Sequence, residues 1–470
     1  MRVLSSVSPS GLTWFGIVRL GLVQTALGAI IVLTTTTMNR VMVVELALPA
    51  MLPGALVGIH YAIQILRPRW GYGSDEGRAR TPWIVGGMAT LAVGGLLAAI
   101  ATALMATSTW AGIALSVLAF ALVGAGVGAA GTSLLVLIAT TVAPRRRAAA
   151  ATIDWGMMIA GFIVTAATAG SFLDPFSMAR LVAVTATVSA AAFVLSVTAV
   201  AGLERRAARI RPATAPDADP DPDPTPDAPR QGFREALAEI LAERQARRFA
   251  VFVFVSMLAY SAQDLILEPF AGTVFGLTPG ESTKLGGVQY QGVLLGMIAV
   301  GLAGSAVARG QFGSLKLWTL TGCVVSAAML FALAVGGTIG DGWPLALNVF
   351  GLGVGNGIFA VAAIGSMMGL ADEGRKGRAG TRMGLWGAAQ AIAFGIGGFL
   401  GTAAVDGARA VFASPVPAYA SVFAAEALAF LVAAWLAARV TARPARPGPT
   451  PSDSIPRPDA TAVPAALSAR

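Results

Sequence analysis

The sequence predicts an all-α integral membrane protein with twelve transmembrane helices in two pseudo-symmetric six-helix halves. Three observations predict it. The 470 residues are 56% hydrophobic and only 12% charged, where a soluble domain carries about 25% charged residues. Apolar runs long enough for a bilayer core, roughly 20 residues each, recur along the chain. A polar linker with alternating Asp and Pro divides them six and six.

The runs lie near 14–38, 46–66, 83–107, 110–142, 153–173, 180–202, 249–272, 286–309, 315–338, 343–370, 381–404 and 418–438. The first continues into a full-length span without a small-residue cleavage site, which predicts an uncleaved insertion signal. The organisation expected is an N-terminal half (1–202), a cytoplasmic linker (203–248), a C-terminal half (249–438) and a disordered cytoplasmic tail (439–470). In the linker the Asp-Pro alternation resists helix formation and stays solvated. Its last part, 232–248, regains helical periodicity with Phe233, Leu237, Ile240 and Leu241 on one face, as a short amphipathic helix on the membrane surface would.

The net charge of +9 is topological. Only Arg40, Arg180, Lys284 and Arg409 fall in loops of one parity or at their edges. The other Lys and Arg residues crowd the opposite side, including Arg67, Arg69, Arg78, Arg80 and Arg145 to Arg147. The positive-inside rule then puts both termini in the cytoplasm. No helix or ribbon suited to reading base edges is present, so nucleic acid is not expected. The single cysteine, Cys323, excludes an internal disulfide framework.

The halves carry an internal repeat. "GIHY" at 58–61 matches "GVQY" at 287–290, "GVG" at 126–128 matches "GVG" at 353–355, and Trp155 with Asp174 matches Trp386 with Asp406. Two such halves around a central cavity resemble the architecture of the major facilitator superfamily. "GYGSDEGRAR" at 71–80 resembles the loop signature of facilitators, one residue short of the usual spacing. Asp75, Arg78 and Arg80 would form a cytoplasmic latch there, against the simpler reading of a solvated turn.

Intramembrane polar groups default to function when buried. "TTTTMNRVMVVELALP" ends the first span and "YSAQDLILEPFAG" its counterpart. Each places an amide (Asn39, Gln263), a charged neighbour (Arg40, Asp264) and a glutamate (Glu45, Glu268) near the outer mouth. In a headgroup zone these would be anchors only. His60 is the one histidine, and its repeat counterpart is Gln289, so the fold does not require imidazole there. A neutral imidazole can pack through a hydrogen bond or ligate a metal. "GVGAAG" at 126–131 fits GxGxxG but lies inside an apolar span with no strand before it, which excludes a nucleotide site. Cys pairs, a nucleophile elbow and a Walker loop are absent from the sequence. The fourth and tenth spans offer only Asn348 and Asn356 as strongly polar groups, which suits an apolar cargo.

The block "MNRVMVVELALPAMLPGALVGIHYAIQILRPRWGYGSDEGRARTPWIVGG" at 38–87 resembles the bacteriochlorophyll delivery family, the PucC and LhaA group of facilitators. Within it, "HYAIQILRPRWGYGSD" is similar to the branch described as a bacteriochlorophyll synthase chain. The resemblance covers 14–202 and 249–438. It implies a non-catalytic carrier or assembly factor in the bacterial cytoplasmic membrane, with bacteriochlorophyll as bound cargo and no free metal or nucleotide. The partners it implies are light-harvesting and reaction-centre polypeptides and pigment-synthesis enzymes. His60, Asn39, Arg40, Glu45, Gln263, Asp264 and Glu268 are then the candidate pigment contacts, with His60 the axial ligand to the pigment magnesium. The alternative is a proton-coupled transporter of a small, largely apolar solute, working through Glu45, Asp264 or Glu268. Prenyl transfer by this chain is disfavoured because its Asp-rich stretch, 217–227, alternates with Pro in a linker.

Overall fold

Long apolar stretches must satisfy their backbone groups internally within a bilayer, and helices do so. A computed structural model describes residues 12–67, 79–143, 146–204, 244–306, 315–372 and 379–439. The tail from 440, most of the linker (205–243) and the loop residues Asp75 and Arg78 lie outside the described residues. The described helices are α1 (Trp14–Glu45), α2 (Met51–Ile63, prolonged by a 3-10 turn Gln64–Leu66), α3 (Thr81–Met105), α4 (Thr109–Thr141), α5 (Arg147–Leu173), α6 (Met178–Val200), α7 (Arg244–Phe275), α8 (Pro279–Ala306), α9 (Leu315–Ile339), α10 (Leu345–Asp372), α11 (Ala379–Val411) and α12 (Pro415–Arg439). Among the described residues, ten are long and apolar enough to cross a membrane; α2, which is short, and α11 stand outside that set.

Packing repeats between the halves. The pairs α1–α5, α1–α6, α2–α4, α3–α4 and α3–α6 recur as α7–α11, α7–α12, α8–α10, α9–α10 and α9–α12. Each half has its own core: Ile17, Leu20, Met88, Leu91 and Leu134 in the first, and Phe252, Phe270, Phe359, Phe423 and Phe430 in the second. The halves meet through α2–α11 and α5–α8.

The repeat register differs slightly from the expected one. A Cβ on Gly124 would overlap the His60 carbonyl oxygen, and a Cβ on Gly353 would overlap the Gln289 carbonyl oxygen. Gly124, Gly126 and Gly128 therefore match Gly353, Gly355 and Gly357, two residues back from the "GVG" pairing. His60 and Gln289 remain counterparts.

Two helix limits also differ from the hydropathy reading. Helix α8 begins seven residues earlier than 286, because "TPGE" is a capping box. The Thr278 N–H donates to Glu281 Oε2 (2.9 Å), the Glu281 N–H donates to Thr278 Oγ1 (3.2 Å), and Pro279 fills the first turn. Helix α1 runs past 38 to Glu45 through two π-helical turns, Leu33–Thr37 and Val41–Glu45. In the first, Thr34, Thr35 and Thr36 each donate a hydroxyl to the carbonyl four residues back (3.0, 2.9 and 2.7 Å). Such bonds compete with the backbone ladder and widen the turn. Residues 244–248 of the expected amphipathic helix are the first turn of α7.

Candidate functional site

The extension of α1 carries its polar residues into the interface between the halves. Asn39 and Arg40 are 1% and 2% exposed. Asn39 Nδ2 donates to the Leu265 carbonyl on α7. Arg40 pairs with Glu45 and donates through Nη2 to the Leu277 carbonyl (2.6 Å). Gly272 leaves room for the guanidinium, since a Cβ there would come within 2.9 Å of Nη2. The first-span set is thus an internal tie between halves.

More bonds across the interface gather at the same end. Thr37 and Thr283 share a hydrogen bond through their hydroxyls (3.0 Å). Asp406, near the end of α11, accepts from the Ala50 and Met51 N–H groups at the start of α2 (2.9 and 2.7 Å). Asp174, just past α5, accepts from Thr278 Oγ1 (2.7 Å) and the Gly280 N–H (3.3 Å) at the start of α8. Helix starts leave four backbone N–H groups without partners and carry a positive partial charge. Each half thereby supplies a carboxylate to a helix start of the other half.

Behind this seal lies a cavity of about 30 Å3 between α1, α2, α7, α8 and α11, lined by Thr35, Thr36, Val57, Tyr61, Ser261, Asp264, Leu265, Tyr290, Phe394 and Gly398. Space of this size holds a water or two; a macrocycle needs the halves to part. Tyr61 packs on Phe394 (centroids 5.6 Å), which also packs on Tyr260 (5.7 Å), while Tyr290 packs on Phe162 (4.8 Å). Asp264 Oδ1 is buried with no hydrogen-bond partner.

Of the other candidates, Gln263 and Glu268 are 0% and 3% exposed. Both amide atoms of Gln263 and Oε2 of Glu268 have no partner. His60, 2% exposed, is not in the cavity wall. Val57 and Tyr61 share the cavity face of α2 by their spacing of four, which places His60 and Gln64 on the adjacent face. Arg67 donates to Gln64 Oε1, turning the Gln64 amide nitrogen towards His60 Nε2 (2.9 Å). Nε2 is therefore the acceptor, and the proton sits on Nδ1, which is buried and unpartnered. The arrangement leaves Nε2 closed to a metal until Gln64 swings away.

Of the expected latch, Arg80 is described, and its backbone is held within its own half. Glu204, beyond α6, accepts from the Arg80 N–H (2.8 Å), the Thr81 N–H (3.0 Å) and Thr81 Oγ1 (2.7 Å) at the start of α3. Burial raises the Glu204 pKa, but these bonds and the Arg80 charge outweigh it and hold the carboxyl below its usual range.

Sequence reading missed Tyr61, Tyr260, Tyr290, Glu204, and two buried carboxylates, Asp154 on α5 and Glu426 on α12, whose oxygens have no partner. Three of the five tyrosines crowd Asp264. A carboxylate inside an apolar run was the signal available for Asp154 and Glu426.

The two six-helix halves closed around a central cavity define a protein of the facilitator transporter architecture. Solved structures bear this out at the level of fold: tetrameric PepTSo2 (TM-score 0.63, 16% identity, 91% of this chain and 97% of that one) and the nucleoside transporter NupG (TM-score 0.60, 14% identity, 90% and 98%). Residues 37–445 match the family model described as PUCC protein, and the chain belongs to that family. It is 53% identical over 431 residues to the bacteriochlorophyll synthase 44.5 kDa chain of Rhodobacter capsulatus, covering 92% of this chain and 96% of the relative. It is 30% identical over 443 residues to protein PucC of the same organism (89% and 90%).

Proposed function

We propose that the protein is a carrier or assembly factor that binds bacteriochlorophyll, or a late precursor, and passes it to light-harvesting and reaction-centre apoproteins or to the synthase. The observation that carries this reading is the extensive match to a relative named for bacteriochlorophyll synthase, joined to a transporter fold. The chain itself performs no chemistry in this scheme; association with the synthase would be accessory.

The aromatic wall of Tyr61, Tyr290 and Phe394 suits the face of a tetrapyrrole ring, reached when the seal at Asp174 and Asp406 opens. His60 supplies the axial ligand once Gln64 releases Nε2, and Asn39, Arg40, Glu45, Gln263, Asp264 and Glu268 contact cargo or partner as the halves part. In this reading the basic residues Arg67, Arg80 and Arg146 lie at the cytoplasmic end, as the positive-inside rule expects, the sealed end faces outward, and both termini are in the cytoplasm of a photosynthetic bacterium.

The test is the absorption spectrum, with pigment extraction and mass analysis, of protein purified gently from its photosynthetic host. About one chlorin per chain is expected. A colourless, monodisperse protein that moves a small solute in liposomes overturns the reading.

A further inference from the structure

Asp264 lines a space at the centre of the bundle, and among the described residues it takes part in no ion pair. A lone carboxylate at this depth is costly to keep charged. What surrounds it is a set of oxygens. The hydroxyl of Thr35 spends its hydrogen on the Ile31 carbonyl and that of Thr36 shares its hydrogen between the Val32 carbonyl and the Glu268 carboxylate, and Ser261 Oγ spends its hydrogen on the Ala393 and Leu258 carbonyls (3.2 and 3.3 Å). Each of these cavity-lining hydroxyls therefore keeps only lone pairs to offer. Tyr61 and Tyr290 add two phenol oxygens. The titratable groups facing Asp264 are Tyr61 on α2, Tyr290 on α8, Glu426 on α12, and Tyr260 and Glu268 on its own helix. None of these supplies a countercharge.

Hard cations without strong geometric demands choose hydroxyl and carboxylate oxygens, and a volume of about 30 Å3, room for a water or two, admits an ion that has shed most of its hydration shell. We propose that the cavity at Asp264 binds a small monovalent metal cation, Na+, held between Asp264, Ser261 and the Thr35–Thr36 hydroxyls. Because its walls come from both halves, the bound ion stabilises their closed arrangement and is released when they part. This holds whatever the cargo is.

The test is thermal unfolding of the full chain in detergent, with NaCl, KCl or N-methylglucamine chloride at fixed ionic strength and at several pH values. The unfolding temperature is expected to rise by about 3–5 °C and to saturate with Na+ only, and Asp264→Asn abolishes the response. Should Asp264→Asn fail to fold, Ser261→Ala serves instead and moves the Na+ midpoint upward about tenfold. Stabilisation that follows falling pH with no response to Na+ means that the carboxyl takes up a proton alone, and overturns the proposal. Equal responses to all three salts, or pH and Na+ profiles unchanged by either substitution, overturn the proposal.

Discussion

Asp174 and Asp406 hold equivalent places in the two halves and do the same work across the interface: each accepts two hydrogen bonds at the start of the other half's second helix, α8 and α2 respectively. Loss of a helix cap costs about 1 kcal/mol, which is roughly a fivefold change in an equilibrium. Asp174→Ala and Asp406→Ala are therefore each expected to raise the open population about fivefold, and the double variant about 25-fold if the sites act independently. The rate at which a maleimide reaches a cysteine placed at Ser261, in a Cys323→Ser background, reports that population. Unchanged rates in both single variants would show that the seal rests on packing and on the Asn39, Arg40 and Thr37 bonds instead.

The hydrogen-bond chain Arg67–Gln64–His60 assigns the proton of the lone imidazole to Nδ1. With one histidine in the chain, nitrogen-15 labelling of histidine gives a spectrum from a single ring. The Nδ1–H tautomer is expected, and Gln64→Ala should remove its fixed preference. The same substitution leaves a buried acceptor without its donor and costs about 1–3 kcal/mol. An Nε2–H signal in the wild type would reverse the assigned amide orientation.

Gly124 and Gly353 predict a matched pair of defects. Their missing side chains let α4 and α10 lie against the backbones of α2 and α8 at His60 and Gln289, as small residues do between membrane helices. Because the obstacle is backbone, Gly124→Ala and Gly353→Ala should each destabilise by about 1–3 kcal/mol, read as similar losses in unfolding temperature in detergent. A loss confined to one variant would mean that the halves do not share this crossing.

Glu204 gives a pH dependence with a definite sign. Its carboxyl titrates below the ordinary range when folded, because the Arg80 and Thr81 donors outweigh the effect of burial. A depressed folded pKa contributes stability that is present above the unfolded value, about 4.3, and lost as pH falls through the folded value. The stability difference between wild type and Glu204→Gln should thus be constant from neutral pH to about pH 5 and shrink below it. A difference that grows on acidification would contradict the bonding at the start of α3.

What was legible in the sequence was what depends on local pattern. The apolar runs, the polar divide and the kinship of "GIHY" with "GVQY" all follow from composition and periodicity. The first span was read as ending near residue 38, which left Asn39, Arg40 and Glu45 open between function and headgroup anchoring; the partners of Asn39 and Arg40 across the interface, Leu265 and Leu277, are over 220 positions away in sequence, and no window contains both. The start of α8 was available in "TPGE", but a hydropathy window passes over a capping box. His60 drew attention as a singular residue, whereas the cavity face of α2 belongs to Val57 and Tyr61, a distinction only the packing of α2 against α11 can make. Among the candidates, Asp264 is the one the fold brings to the cavity wall.

Arg40 and Glu45 supply the sharpest test of the interface. The pair lies at the closed end, with Arg40 almost wholly buried and Glu45 about one-third exposed. Removing one member of a buried pair leaves the other charge uncompensated and costs about 3–5 kcal/mol, whereas replacing both with apolar residues of similar size can be near neutral. Arg40 is the more buried, so Glu45→Gln should be the more damaging single change, leaving a guanidinium with only the Leu277 carbonyl. Arg40→Met with Glu45→Leu should recover most of the lost unfolding temperature. A transport or pigment-retention assay then separates stability from function: if the charges serve only to tie α1 to the turn between α7 and α8, the double variant retains activity, and if they contact cargo, it folds and is inactive.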